Sequence, residues 1–137
     1  MRWTVFWLFL SIPVYAADIG SLLNAERQSV GLHTLMHSPA LERAAEAHAL
    51  DMARNRFFSH NGSDGSHVWD RVGAAGYRYC YVAENIAKGQ QTAEDTMRSW
   101  MQSKGHRLNN LSKDAAHYGA ARATGDYWVL VFGSVDC

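Results

Sequence analysis

An alanine-rich run over residues 41–55 leads into Arg56-Phe57-Phe58-Ser59-His60-Asn61-Gly62-Ser63-Asp64-Gly65, and this junction constrains the fold more than any other stretch. Ahead of it, Ser38-Pro39 supplies an N-cap residue followed by proline at the first helical position. Leu41, Ala45, His48 and Met52 then fall on one face at helical spacing. The alanines carry little bulk, so this helix packs close to whatever covers it. At its end two aromatics anchor the chain, and His60 stands at the lip of a polar turn, with an apolar floor behind and solvent in front. That placement suits a ligand or an acid/base group. His48 lies on the apolar stripe, where a core imidazole with a hydrogen-bond partner is expected. His33, His37, His67 and His117 have no partner visible in the sequence and are assigned no role.

The rest of the chain bounds the setting. Residues 1–16 combine Arg2, a nearly unbroken apolar run and small residues at Val14 and Ala16, the pattern of a secretory signal peptide cleaved after Ala16. The run is short for a bilayer span, which needs about 20 residues. Residues 17–137 are then expected to form a single domain with no transmembrane span. Loss of Arg2 takes the basic count from 13 to 12, against 13 acidic residues. A near-neutral chain with no basic run excludes nucleic acid as a main partner and offers nothing to anionic membranes. Cys80 and Cys137 are an even count in a chain that reads as exported, which predicts a disulfide between them. A monomer is expected.

Hydrophobic periodicity gives the element order. Residues 18–30 read as a first helix stopped by Gly31, with Ile19, Leu22, Leu23, Glu26 and Val30 at helical spacing, followed by an extended piece over 32–37. After the alanine-rich helix, residues 66–75 read as a short third helix capped by Ser66, and residues 77–87 as a strand carrying Cys80 and Glu84. Thr92 caps a fourth helix, with Met97, Trp100 and Met101 on its apolar face and Gly105 as its stop. Residues 106–114 read as irregular. Residues 118–123 and 127–133, joined through Thr124-Gly125-Asp126, read as a β-hairpin. Three strands with about four helices on their faces predict an α/β three-layer α/β/α sandwich with a small central sheet.

Several segments together resemble the CAP superfamily, also called SCP or pathogenesis-related-1-like, in its short bacterial secreted form. They are Leu23-Asn24-x-Glu26-Arg27, Phe58-Ser59-His60, Asp70-Arg71 with Gly76-Tyr77, Glu84-Asn85-Ile86, Trp100-Met101-x-Ser103-x-Gly105-His106-Arg107-x-Asn109, and Tyr127-Trp128-Val129-x-Val131-Phe132-Gly133. No one of these is decisive; their order and spacing are specific. The resemblance implies the α/β/α sandwich and a cleft lined by two histidines and two acids. His60 matches the first histidine, Glu84 the first acid and His106 the second histidine. Ser103 stands where the second acid belongs, so the tetrad is reduced to a triad. Ala83 replaces a common glycine, and Asn110 an expected apolar residue.

If His60, Glu84 and His106 converge, two imidazoles and a carboxylate can hold a divalent metal such as zinc and leave positions open for water. Glu84 is then also the candidate catalytic acid/base, with Ser59, Asn85, Ser103 and Arg107 lining the cleft. The resemblance links family members to lipid or sterol binding and to extracellular signalling or defence, with no single shared reaction. The favoured reading is therefore a secreted or periplasmic non-catalytic module, using the His/Glu cleft to bind a small ligand, lipid, glycan, peptide or protein. The alternative is a metal-dependent hydrolase or peptidase of the envelope acting through His60, Glu84 and His106.

Overall fold

The computed structural model describes residues 18–137; the expected signal peptide over residues 1–16 lies outside the described residues. In chain order the elements are α1 (Ile19–Ser29), β1 (Met36–His37), α2 (Pro39–Asn55), α3 (Val68–Ala74), β2 (Tyr81–Lys88), α4 (Ala93–Gln102), α5 (Lys104–Asn110), β3 (His117–Ala123) and β4 (Tyr127–Ser134). The strands form one sheet in the order β1-β3-β4-β2. β4 pairs antiparallel with both β2 and β3, and β1 pairs parallel with β3, Met36 opposite His117 and His37 opposite Tyr118.

β4 is buried along its whole length, which follows from its central place and its run of large apolar residues. Strand alternation divides that run between two cores. Tyr127, Val129 and Val131 join Leu41, Ala44, Ala45, Ala49 and Met52 of α2 and Val72 of α3. Trp128, Leu130 and Phe132 join Ile19 and Leu23 of α1 and Met97 and Trp100 of α4. The architecture is thus the predicted α/β/α sandwich, with four strands and five helices among the described residues. Close packing of the alanine-rich helix is literal: a Cβ on Gly119 of β3 would lie 2.1 Å from the Glu42 backbone nitrogen.

Ser38 accepts from the Leu41 amide at 3.3 Å and Pro39 opens α2, as the sequence requires. α2 ends at Arg56, whose left-handed backbone (φ 54°, ψ 53°) turns the chain so that Phe57 packs edge-on against His48. The next residues then run out toward His60. Four boundaries differ from expectation. β2 begins at Tyr81 rather than 77, because Tyr77 is drawn into the core, where its ring lies against Gly133. α3 is capped by His67, not Ser66: Asp70 accepts from the His67 amide at 2.9 Å and its side chain meets the imidazole in a capping box. Two residues of the extended piece 32–37 form β1. Gly105 does not end a helix, and residues 106–110 of the stretch read as irregular over 106–114 belong to α5 (Lys104–Asn110); Ser103, in extended backbone, ends α4 and opens α5 at once.

Cys80 and Cys137 form a disulfide with Cα atoms 5.2 Å apart, inside the range such bridges need. It ties the segment before β2 to the residues after β4, next to the Cys80 amide, which donates to the Ser134 carbonyl at 2.8 Å. Thiol titration of the exported protein under denaturing conditions should find no free cysteine; two reactive thiols would contradict the pairing.

Candidate functional site

Glu84 sits mid-strand in β2 and, by alternation with Ile86, points to the α2/α3 side of the sheet. Its side chain is 2% exposed. One carboxylate oxygen lies 2.9 Å from His60 Nδ1, and the other accepts from Arg71 Nη2 at 2.9 Å. Arg71, on α3, donates onward to the His60 carbonyl at 3.0 Å and to the Ser66 carbonyl at 2.9 Å. The arginine therefore clamps the loop that carries His60 and pairs with the carboxylate that orients its ring. With Nδ1 committed to Glu84, His60 offers Nε2 outward, and its side chain is 58% exposed.

Behind this loop His48 is fully buried, as expected from the apolar stripe, with Nε2 2.7 Å from the Ser59 carbonyl. The carbonyl can only accept, so Nε2 carries the proton and Nδ1 is left without a partner among the described residues. Ser59 thus contributes its backbone to His48, while its hydroxyl accepts from the Asn61 amide at 3.1 Å.

On the opposite face of β2, Asn85 is fully buried and joins a chain of amides. Its Nδ2 donates to the His106 carbonyl at 3.1 Å and to Asn110 Oδ1 at 2.9 Å, and its Oδ1 accepts from Asn109 at 2.8 Å. Asn110, the expected apolar position, is polar because it is part of this network; its Nδ2 rests on the sulfurs of Met97 and Met101. α5 is thereby fastened to β2 beside Glu84, which holds His106 within electrostatic reach of His60.

Glu84 is not arranged as a metal ligand: both oxygens are engaged by His60 and Arg71, and among the described residues no group of three His, Cys, Asp or Glu can hold a metal ion. The residues present therefore do not fit a metal centre made of His60, Glu84 and His106. The arginine bonded to Glu84 is Arg71, which the sequence did not single out as a site residue; Arg107, expected to line the cleft, donates from Nη1 to the Met101 carbonyl at 3.1 Å. Ser103 serves as the helix junction, and no bond joins its side chain to the cluster among the described residues. Arg71 stood in the Asp70-Arg71 motif, but only the fold reveals that it faces Glu84.

Burial, and secondarily the neighbouring His60, pushes the His106 pKa below the ordinary imidazole value. Burial is also the leading cause of a lowered His48 pKa, with Arg71 adding to it against the pull of Glu84 and Asp51. Both rings are kept neutral by the fold. As pH falls below about 6.5 the unfolded chain takes up protons first, so stability is full above that value and is lost as pH drops through the two depressed pKa values. Urea midpoints measured between pH 7.5 and 5 should fall steadily, and His48→Gln should flatten the decline. A flat wild-type profile would contradict the assignment.

This sheet and its helices, with an imidazole–carboxylate pair anchored midway along β2, define a CAP domain. The chain belongs to the cysteine-rich secretory protein (CAP) family, whose profile matches residues 21–133. It is 35% identical to the Bacillus subtilis (strain 168) protein YkwD over 123 residues, which is 89% of this chain and 48% of YkwD. To the B. subtilis membrane protein YlbC it is 30% identical over 102 residues, 74% of this chain and 30% of YlbC. The chain thus spans half or less of these relatives. An extracellular SCP-domain protein from Bacillus anthracis str. Ames superposes with a TM-score of 0.81 at 25% identity, over 84% of this chain and 38% of that one. An outer surface protein of Borrelia burgdorferi shares the fold at a TM-score of 0.79 and 22% identity, covering 85% and 89% of the two chains.

Proposed function

We propose that this chain is a secreted or periplasmic CAP domain that binds its ligand without turning it over, through a surface centred on the exposed Nε2 of His60. The observation that carries this reading is the full engagement of Glu84. A carboxylate bonded to both an imidazole and an arginine, and shielded from solvent, is spent on orientation; it has no free oxygen for a metal or a substrate proton. With its Nδ1–H donating to Glu84, the neutral imidazole presents Nε2 as a directed hydrogen-bond acceptor, suited to hydroxyl or N–H groups on an envelope glycan, peptide or protein. Export is supported by the leader-like residues 1–16, by the disulfide and by the extracellular or outer-surface character named for two structural relatives.

The same His60–Glu84 pair is the observation that favours a hydrolase, since a carboxylate-oriented imidazole is also a general base. Calorimetric titration of soluble envelope glycan and peptide fragments into wild type and His60→Ala, alongside turnover assays with and without zinc, separates the two. Binding lost in His60→Ala with no turnover in either condition supports the module. Turnover by wild type that vanishes in His60→Ala supports the enzyme.

A further inference from the structure

A second region, apart from His60, has the features of a binding groove. β3 is partnered on its outer side only at its start: β1 reaches His117 and Tyr118, and Ser38 donates to the Tyr118 carbonyl before the chain turns away into α2. Backbone groups alternate along a strand, and those of Tyr118 face β1. The N–H and C=O of Ala120 and Arg122 therefore face the same way, past the end of β1, with no strand beside them among the described residues. Such an edge is a template for another strand.

The edge opens onto a cavity of about 430 Å³ bounded by the start of α1, the start of α4 and the side chains of β3. Its floor is apolar, formed by Ile19, Ala93, Ala120 and Trp128, while carboxylates of Asp18 and Glu42 stand on its rim. Both carboxylates act on the Tyr118 phenol, whose pKa is raised chiefly by burial and further by Asp18 and Glu42. The fixed positive charge of the lining is already committed. Arg122 lies over the Trp128 ring at 4.6 Å and pairs with Asp126, while also donating to the Gln91 carbonyl. On the rim, Glu42 Oε2 lies 3.3 Å from His37 Nε2, and Asp18 Oδ1 caps α1 by accepting from the Ser21 amide at 2.7 Å. With Glu94 also in the lining, the rim carries three carboxylates against one arginine that is already paired, and is acidic in balance.

We infer that this groove receives an extended peptide carrying a basic side chain, which adds as a short strand along residues 120–122 and sets its cation between Asp18 and Glu42. Main-chain hydrogen bonds supply affinity in this mode, and side-chain pockets supply selectivity. The site is independent of the His60 surface and does not rest on the function proposed for it.

The test uses the exported protein with two end-blocked pentapeptides, one alternating valine with lysine and one alternating valine with glutamate. The lysine peptide should bind saturably below about 1 mM, and the glutamate peptide at least about tenfold more weakly. The Ala120 and Arg122 amide resonances and the Trp128 indole should shift on binding. Glu42→Lys, a half-exposed position, should abolish it. Ala120→Pro should do so as well, since proline is tolerated on an edge strand where its missing N–H faces outward. Three results would overturn the proposal: equal binding of the two peptides, binding of n-butylamine as tight as that of the lysine peptide, or slow hydrogen exchange at the Ala120 and Arg122 amides in the protein alone, which would mean the edge is already covered.

Discussion

Glu84→Leu is expected to cost about 3 kcal/mol, the low end of what breaking a buried ion pair from one side typically costs. The reason lies in what is left behind. Arg71 is 9% exposed, and without the carboxylate its charge keeps only the carbonyls of His60 and Ser66 and the Ser66 hydroxyl. Those bonds hold it at the low end, because the guanidinium is not wholly abandoned. The double substitution Arg71→Met/Glu84→Leu should then cost less than Glu84→Leu alone, since it removes the stranded charge together with its partner. Urea denaturation of the two single variants and the double variant completes the cycle. Additive losses, or a Glu84→Leu variant within about 0.5 kcal/mol of wild type, would show that the pair is not coupled.

The two variants also bear on function. Losing Glu84 frees His60 Nδ1, so its ring can rotate and its tautomer is no longer set. Losing Arg71 leaves the ring oriented but releases the 60–66 loop. Ligand binding at His60 should therefore fail in Glu84→Leu and weaken in Arg71→Met. The difference separates the orientation of the imidazole from the placement of its loop.

The sequence made legible those parts of this arrangement that depend on local chemistry and periodicity. Ser38-Pro39 marked the start of α2, the Val, Trp and Phe content of 127–133 marked the last strand of a hairpin, and the stripe on α2 placed His48 in the core. The junction after α2 singled out His60, but only resemblance grouped it with Glu84 and His106, which come from three separate elements and have no informative spacing. What stayed hidden depends on which residues face each other across the fold. Nothing local to Asp70-Arg71 says that its guanidinium meets Glu84. Ser103 closing one helix and opening another cannot be read from a glycine two residues later that looks like a stop. On α1 the apolar face was misplaced: Val30 is exposed, and the buried stripe is Ile19, Leu23 and Arg27 at intervals of four. A charged residue at the third position of a helical stripe is normally read as its polar edge, and here it is the deepest part.

That residue carries the other large expectation. Arg27 is 0% exposed and faces no carboxylate among its bonded partners. Its Nε donates to the His33 carbonyl at 2.9 Å, and its Nη1 to the carbonyls of Asn110 at 2.9 Å and Ser112 at 2.7 Å. One side chain thus satisfies the loop after α1, the end of α5 and the turn beyond it. Burial pushes its pKa below the usual guanidinium value, the direction expected for a cation held by dipoles alone. Arg27→Met fills similar volume but strands the Asn110 carbonyl in a buried setting and those of His33 and Ser112 in partly buried ones; a buried acceptor left unpaired costs about 1–3 kcal/mol, a partly buried one less. Relief of the buried charge offsets part of this, so the net loss should be about 3 kcal/mol, or a fall in Tm on the order of 10 °C. Arg27→Lys should recover less than half, because an ammonium lacks the planar fork that reaches three acceptors at once. The loss should also be felt at the candidate site. With the Asn110 carbonyl released, the Asn85–Asn109–Asn110 network that fastens α5 loosens, and the imidazole resonances of His106 should broaden or shift while those of His48, in the other layer, stay in place. A Met variant as stable as wild type, or one that disturbs His48 as much as His106, would mean that Arg27 is not what holds α5 against the sheet.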